Sequence, residues 1–276
     1  MSVRSLFDLL RRGPAPDVRR LPRLIIPGAM KAGTTSLFEY LVGHPQLVPS
    51  REKEIHYFDM HFHRGTGWYA RQFPRRRGTG GAALPFESSP YYLFEPRVPA
   101  RMRAVVPDVK LVVLLRDPVD RAFSHYHNNR RLGREDLTFE EAVAAEEQRL
   151  AGEEERLLAD PRAVSLRHKW YSYLRRGLYA EQLLRWRTFF PAEQMLVVDA
   201  GRLFTEPQLV LAEVLAFLGI DPWEPPSLAP RNEGGHGRAM RPETRARLEA
   251  YFAPHEQRLA ELIGWCPSAR RLRRAA

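Results

Sequence analysis

Three short apolar runs, Leu24–Pro27, Lys110–Leu115 and Gln194–Asp199, are rich in Leu, Ile and Val and end in polar or turn residues. Runs of that length and composition predict buried strands. Between and around them the apolar positions recur at helical spacing. They predict helices over Ser36–Val42, Pro99–Val105, Val119–Arg131, Thr138–Ala151, Tyr179–Phe189, Gln208–Leu218 and Glu243–Ile263. Asp117-Pro118 reads as an N-cap followed by a first helical residue, and Thr138-Phe139-Glu140-Glu141 reads as a capping box. Strands alternating with helices predict an α/β fold, a central parallel sheet covered by helices on both faces. The acidic run from Glu140 to Glu155, interleaved with Ala and Leu, reads as a solvated helix face.

Composition narrows this frame. A chain of 276 residues suits one large α/β domain. We place it at residues 23–265, after a basic extension (1–22) and before a basic tail (266–276) that includes Arg270, Arg271, Arg273 and Arg274. The net charge of +10 favours an anionic partner, although Arg-rich composition also follows from GC-rich coding. A single cysteine, Cys266, excludes an internal disulfide and a Cys-based zinc site, and no His/Asp/Glu cluster has metal-ligand spacing, so no metal is expected. No apolar run approaches the roughly 18 residues that cross a bilayer. The block Ser5–Leu10 is too short for a signal sequence and its Arg11-Arg12 falls on the wrong side, so a cytoplasmic protein is expected.

Chemistry concentrates in three places. The first is Gly28-Ala29-Met30-Lys31-Ala32-Gly33-Thr34-Thr35-Ser36, a loop between the first predicted strand and helix. Such turns bind anions, because free amides and the positive end of the helix dipole converge there. Lys31 is one of only four lysines (31, 53, 110, 169) among 43 basic residues. The ATP-type signature places its Lys after the second glycine, whereas Lys31 precedes Gly33 by two. Alone, the segment fits an anion loop or an ordinary βα turn. The second place is Leu115–Ser124, where Arg116 stands at the carboxyl end of a strand, the ligand side of open α/β sheets, and Ser124 lies on the following helix. A fork and a hydroxyl there could grip a second phosphate, or Arg116 could pair with Asp120 or another carboxylate; Arg121 reads as structural. The third is Arg51–Asp59. Alternation puts Glu54, His56 and Phe58 on one face of an extended stretch and Ile55, Tyr57 and Asp59 on the other. Glu54 and His56 then form a candidate acid/base pair, or two surface residues. The glycine-rich Arg231–Arg238 could wrap a ligand or be a surface loop.

Taken together these segments resemble the 3′-phosphoadenosine 5′-phosphosulfate (PAPS) dependent sulfotransferases, closest to the heparan sulfate glucosaminyl type and its bacterial relatives. Gly28–Ser36 looks like the family's 5′-phosphosulfate loop. Leu115–Ser124 looks like its 3′-phosphate motif, with Arg116 and Ser124 at the phosphate positions, and Glu54–Asp59 looks like its catalytic segment, with Glu54 as base. Gly67-Trp68-Tyr69, Trp186–Pro191 and Val198-Asp199 match further landmarks.

The chain departs from the glycosaminoglycan enzymes at four places. Glu87-Ser88-Ser89-Pro90 lacks their Lys after Glu, Thr35 replaces an Arg, their C-terminal disulfide cannot form, and their Lys-Gly-Arg appears as His236-Gly237-Arg238.

The resemblance implies a P-loop-like α/β fold and sulfuryl transfer from PAPS to a hydroxyl or amine of a carbohydrate or small-molecule acceptor. Lys31, Ala32, Gly33, Thr34, Thr35 and Ser36 would hold the phosphosulfate. Arg116, Ser124, Tyr179, His236, Gly237 and Arg238 would hold the rest of the nucleotide, while Glu54, Lys31 and His56 would carry catalysis. A P-loop kinase would need Gly-Lys-[Ser/Thr] and a magnesium carboxylate. A non-catalytic binder of acidic polymers would leave the loop Lys and Glu54 unexplained. Basic residues scattered without an aromatic stacking array argue against nucleic acid.

Overall fold

The computed structural model describes residues 21–74, 83–229 and 239–268. Five strands, β1 (Leu24–Gly28), β2 (Leu47–Pro49), β3 (Leu84–Ser88), β4 (Lys110–Leu115) and β5 (Met195–Asp199), form one parallel sheet in the order β2-β3-β1-β4-β5. The three strands expected from apolar runs are present. β2 and β3 were not expected, for reasons visible in their residues. β2 is only Leu-Val-Pro, and β3 (Leu-Pro-Phe-Glu-Ser) carries a proline and a carboxylate that break any apolar pattern. They gain strand geometry from parallel pairing, Leu24 opposite Phe86 and Leu47 opposite Leu84.

β1 and β4 are fully buried apart from Lys110, as expected of strands covered on both faces. Helices flank the sheet. Thr34–Val42 seats Leu37, Phe38 and Leu41 in the core, and Pro207–Leu218 seats Val210, Leu211, Val214 and Leu215. Asp117 caps the helix Pro118–Arg131 by accepting from the Asp120 amide, and Thr138 and Glu141 form the expected capping box. The expected helix Thr138–Ala151 is two pieces, Phe139–Ala144 and Glu146–Leu150, joined at Ala145. One cause is Glu146. It is not on a solvated face but buried, its carboxylate accepting from the amides of Leu174 (2.6 Å) and Arg175 (2.9 Å).

β1 neighbours β3 on one side and β4 on the other, so the chain changes direction across the sheet at β1. Open parallel sheets place their ligand crevice at such a switch point, beyond the carboxyl ends of the strands. Here it is a cleft of about 1700 Å³, and each of the four strands from β3 to β5 contributes residues from just beyond its end: Met30 and Lys31 after β1, Pro90 and Tyr91 after β3, Arg116 after β4, Ala200 and Gly201 after β5.

Candidate active site

The loop after β1 is shaped by two unusual backbone positions. Lys31 has φ 70° and Gly33 has φ 88°. Gly33 is also pressed from outside, since a Cβ there would stand 3.0 Å from the Phe204 ring. The turn delivers the helix Thr34–Val42 with no side-chain cap on its first amides, and Thr34 and Thr35 line the cleft. First-turn amides of a helix have no intrahelical acceptor, so this end suits an anion. Two of the expected loop residues do not face the cleft. The Ala32 amide is used inside the loop, donating to the Ala29 carbonyl at 3.1 Å, and the Ser36 side chain is buried on the inner side of the helix. Lys31 lines the cleft. Burial, then the neighbouring Arg131 and Arg116 charges, hold its ammonium below the ordinary lysine range, and Glu54 opposes them.

Arg116 lies at the end of β4 and donates to the Lys31 carbonyl at 3.1 Å, which ties the second strand–turn–helix unit to the loop. The alternative pairing with Asp120 is not formed, because Asp120 is held by Arg245 at 2.7 Å. Ser124, in the second turn of Pro118–Arg131, faces the same cleft. Tyr179 does not. It is buried behind Arg116 and donates its hydroxyl to the Arg116 carbonyl at 2.9 Å, so it positions the strand end rather than lining the cleft. Arg121 is fully buried, donating to the Tyr173 carbonyl, which is the structural role expected. His236, Gly237 and Arg238 lie outside the described residues, as do Arg75–Arg77 and the basic tail from residue 269.

The segment Arg51–Asp59 is not the extended stretch that alternation implied. Glu54 and His56 both have left-handed backbone, φ 63° and 53°. The two reversals bring Asp59 onto the His56 side, with Oδ2 at 2.7 Å from Nδ1, and turn Phe58 into the core beside Tyr57. What holds this conformation is β3. The Glu54 amide donates to the Ser88 carbonyl (3.0 Å), and the His56 amide donates to Ser89 Oγ (3.3 Å). Ser89 and Tyr69 in turn donate to Glu87, a fully buried carboxyl that burial pushes up to about 7 against those bonds. Among the described residues, Lys31, Glu54 and His56 are the non-glycine residues with positive φ. Such strain persists only where surrounding structure over-determines it, and it concentrates at functional sites.

Glu54 Oε2 stands 3.4 Å from His56 Nε2, and Oε1 stands 3.1 Å from Lys53 Nζ. Burial opposes its charge, but the bonds and charges of His56 and Lys53 win and hold the carboxyl down to about 2. For His56 burial disfavours the cation, while Asp59 and Glu54 raise its basicity and Lys169 works against them. Lys169 was missed in the sequence. It comes from the short helix Leu166–Trp170, more than a hundred positions away, with Nζ 3.1 Å from His56 Nε2. Its rarity in an Arg-rich chain was the one signal that could have found it.

A family model described as a sulfotransferase domain matches residues 21–227. The chain belongs to the sulfotransferase family. This sulfotransferase is 35% identical to the human bifunctional heparan sulfate N-deacetylase/N-sulfotransferase 3 over 74% of its own length and 23% of that protein's. It is 35% identical to the mouse heparan sulfate glucosamine 3-O-sulfotransferase 3B1 over 73% of its own length and 47% of that protein's. The chain thus spans about a quarter and about half of these relatives. A crystal structure of a sulfotransferase from Alicyclobacillus acidocaldarius superposes with a TM-score of 0.73 at 32% identity, covering 91% of this chain and 98% of that one. The single α/β domain with its five-stranded parallel sheet is the fold that the motifs implied. A further relative, 29% identical over 88% of the chain, is a membrane-associated sulfotransferase, kil1 of Dictyostelium discoideum. Among the described residues no helix is long and apolar enough to cross a membrane.

Proposed function

We propose that the cleft transfers a sulfuryl group from PAPS to a hydroxyl or amine of a carbohydrate acceptor, in line, with Glu54 as the base. The observation that carries this reading is convergence: the Lys31 loop, the Arg116/Ser124 pair and the Glu54/His56/Asp59 cluster line or support one cleft although they are separated in sequence. The cleft also fits a doubly anionic donor. Among the described residues no carboxylate lies in ion-pair contact with Lys31 or Arg116, and the helix Thr34–Val42 presents an uncapped end between them.

PAPS would supply an activated sulfate on a phosphate leaving group. Thr34, Thr35 and the first-turn amides would hold that end, and Arg116 with Ser124 would hold the 3′-phosphate. Lys31 would neutralise charge as it develops on the bridging oxygen, the kind of electrostatic assistance that dominates such transfers. Glu54 would take the acceptor proton. Held down to about 2, it is a weak base that binds a proton only late, as the acceptor oxygen or nitrogen bonds to sulfur. His236, Gly237 and Arg238 are proposed to help hold the nucleotide. The domain is proposed to run from 23 to 265, past the matched region, because the helix Pro242–Ile263 buries Leu248, Phe252 and Leu259. The carbohydrate acceptor rests on the printed activities of the heparan sulfate relatives.

An acceptor screen with labelled PAPS tests the reading. Sulfated saccharide product is expected, and loss of transfer to every carbohydrate while small phenols or alcohols accept would overturn the acceptor class. Thermal stabilisation separates the donor from its rivals: adenosine 3′,5′-bisphosphate should raise the Tm, with ATP–magnesium and heparin giving less.

A further inference from the structure

Arg176 lines the floor of the cleft at 2% exposure, and among the described residues no carboxylate lies in ion-pair contact with it. Its three nitrogens reach three groups. Nε donates to Ser172 Oγ at 2.7 Å, one terminal nitrogen donates to the Lys169 carbonyl, and the other rests on Met30 Sδ at 2.9 Å. The guanidinium carbon stands 4.8 Å from the centre of the Tyr91 ring and 5.4 Å from that of Phe94. The short turn that carries it is pinned. Glu146 holds the amides of Leu174 and Arg175, and a Cβ on Gly177 would stand 2.7 Å from the Phe252 ring. A thioether is a weak acceptor and ring faces are weak counter-charges. Burial accordingly holds the guanidinium down to about 9. The two carboxylates whose charge reaches it are engaged elsewhere, Glu146 with the two amides and Asp59 with His56. A buried charge without a counter-charge is costly, and an apolar side chain of similar length would fill the space more cheaply. The retained charge points to an anion that arrives with a ligand.

The partners of the guanidinium say which anion. Met30 immediately precedes Lys31 in the loop after β1. Lys169 belongs to the other edge, with its Nζ 3.1 Å from His56 Nε2, beside Glu54. Arg176 touches both, so it underlies the gap between the loop and the Glu54 cluster. A group passing from a donor on the loop to an acceptor at Glu54 must cross that gap. We propose that Arg176 is a positioning residue for the sulfuryl group of bound PAPS, its charge drawing the sulfuryl oxygens over the floor of the cleft while its hydrogen bonds hold Met30 and Lys169 at either edge. This rests on the PAPS reading of the cleft. The sulfuryl oxygens carry negative charge before, during and after transfer, so the attraction exists as soon as the donor binds and needs no acceptor. His56, held up to about 9, and Lys169 are cations on the same side. They add to the field of Arg176 instead of cancelling it.

The test is calorimetry on the full chain, without acceptor, using two nucleotides that differ at one group. One is PAPS. The other is the 5′-methyl ester of adenosine 3′,5′-bisphosphate, which keeps the bridging phosphate and carries a neutral methyl where PAPS carries the sulfuryl. In Arg176→Met the preference for PAPS over the methyl ester should fall about tenfold or more, the loss of one charge facing another across several ångströms of a half-buried site. Arg176→Gln removes the charge but keeps a donor for the Lys169 carbonyl. It should show the same fall, and it serves if the Met variant does not fold. Arg176→Lys keeps the charge and should hold the preference within about threefold of wild type. A purely structural role would weaken both nucleotides alike. Equal losses for the two, or no loss, in Arg176→Gln overturn the proposal and leave the donor reading standing. A wild-type protein that gives no heat with either nucleotide removes the donor reading, and the proposal with it.

Discussion

Glu54 combines two properties that rarely coincide in a surface residue: a left-handed backbone and a carboxyl held far below its ordinary range. Replacing it tests chemistry with little change in shape. Glu54→Gln should lower kcat by roughly a hundred- to ten-thousand-fold, the usual contribution of a well-placed base, and leave the affinity for adenosine 3′,5′-bisphosphate within about twofold; near-normal turnover would remove Glu54 from the mechanism. Gly33 is a different kind of residue-scale constraint. Its φ of 88° strains any side chain, and a Cβ there would stand 3.0 Å from the Phe204 ring. Gly33→Ala should cost about 1–2 kcal/mol of stability and weaken donor binding, because the same twist aims the first helical amides. Denaturant unfolding and calorimetry would read the two losses separately. Glu54 and Gly33 were legible as candidates in the sequence. The φ values that join Lys31, Glu54 and His56 were not, since they are imposed by contacts with β3 and β4.

At the scale of elements, the segment between Pro118 and Gly177 shows how far pattern reading carries. The Asp117 cap and the Thr138/Glu141 capping box are local devices, set by residues three apart, and both form as expected. Glu146 is the counter-example. Its neighbours Ala144, Glu147 and Gln148 are exposed, yet its carboxylate satisfies two amides of the turn at Leu174 and Arg175, and burial pushes it up to about 6. Glu146→Ala should destabilise the fold by about 2–3 kcal/mol, because two amides lose their partner. Chemical denaturation would show this, and a change under about 0.5 kcal/mol would mean that water replaces the carboxylate. Glu146→Gln should recover part of the loss through its remaining amide oxygen. β2 and β3 belong to the same lesson. A three-residue strand and one containing Pro85 have no periodicity to read, and only pairing partners make them strands.

For the whole molecule, the pH dependence of stability is set by opposed carboxyls. Glu87 is pushed up to about 7 in the fold, so the folded state binds the proton more tightly than the unfolded chain. Its contribution is most favourable below the ordinary carboxylate range, near pH 4.5, and is lost as pH rises toward about 7. Glu54, held down to about 2, acts in the other direction: it stabilises above about pH 4.5 and loses that contribution as pH falls toward 2. Glu87→Gln should therefore flatten the decline of Tm between about pH 5 and 7 while leaving the acid limb in place. An unaltered slope in that window would show that Glu87 stays ionised in the fold.

What the amino-acid sequence determined by itself was local: apolar runs long enough to be strands, caps three residues apart, a lone Lys in a glycine loop, and motifs contiguous enough to imply the family and its donor. The tertiary structure decided what depends on distance across the chain. It placed Asp59 and Lys169 on opposite nitrogens of His56, set Tyr179 behind Arg116, turned the Ala32 amide inward and buried Glu146. The physical reason is common to these cases. Hydrogen bonds and burial are satisfied by whichever groups the parallel sheet brings together, and the sequence separation of those groups leaves no periodic trace.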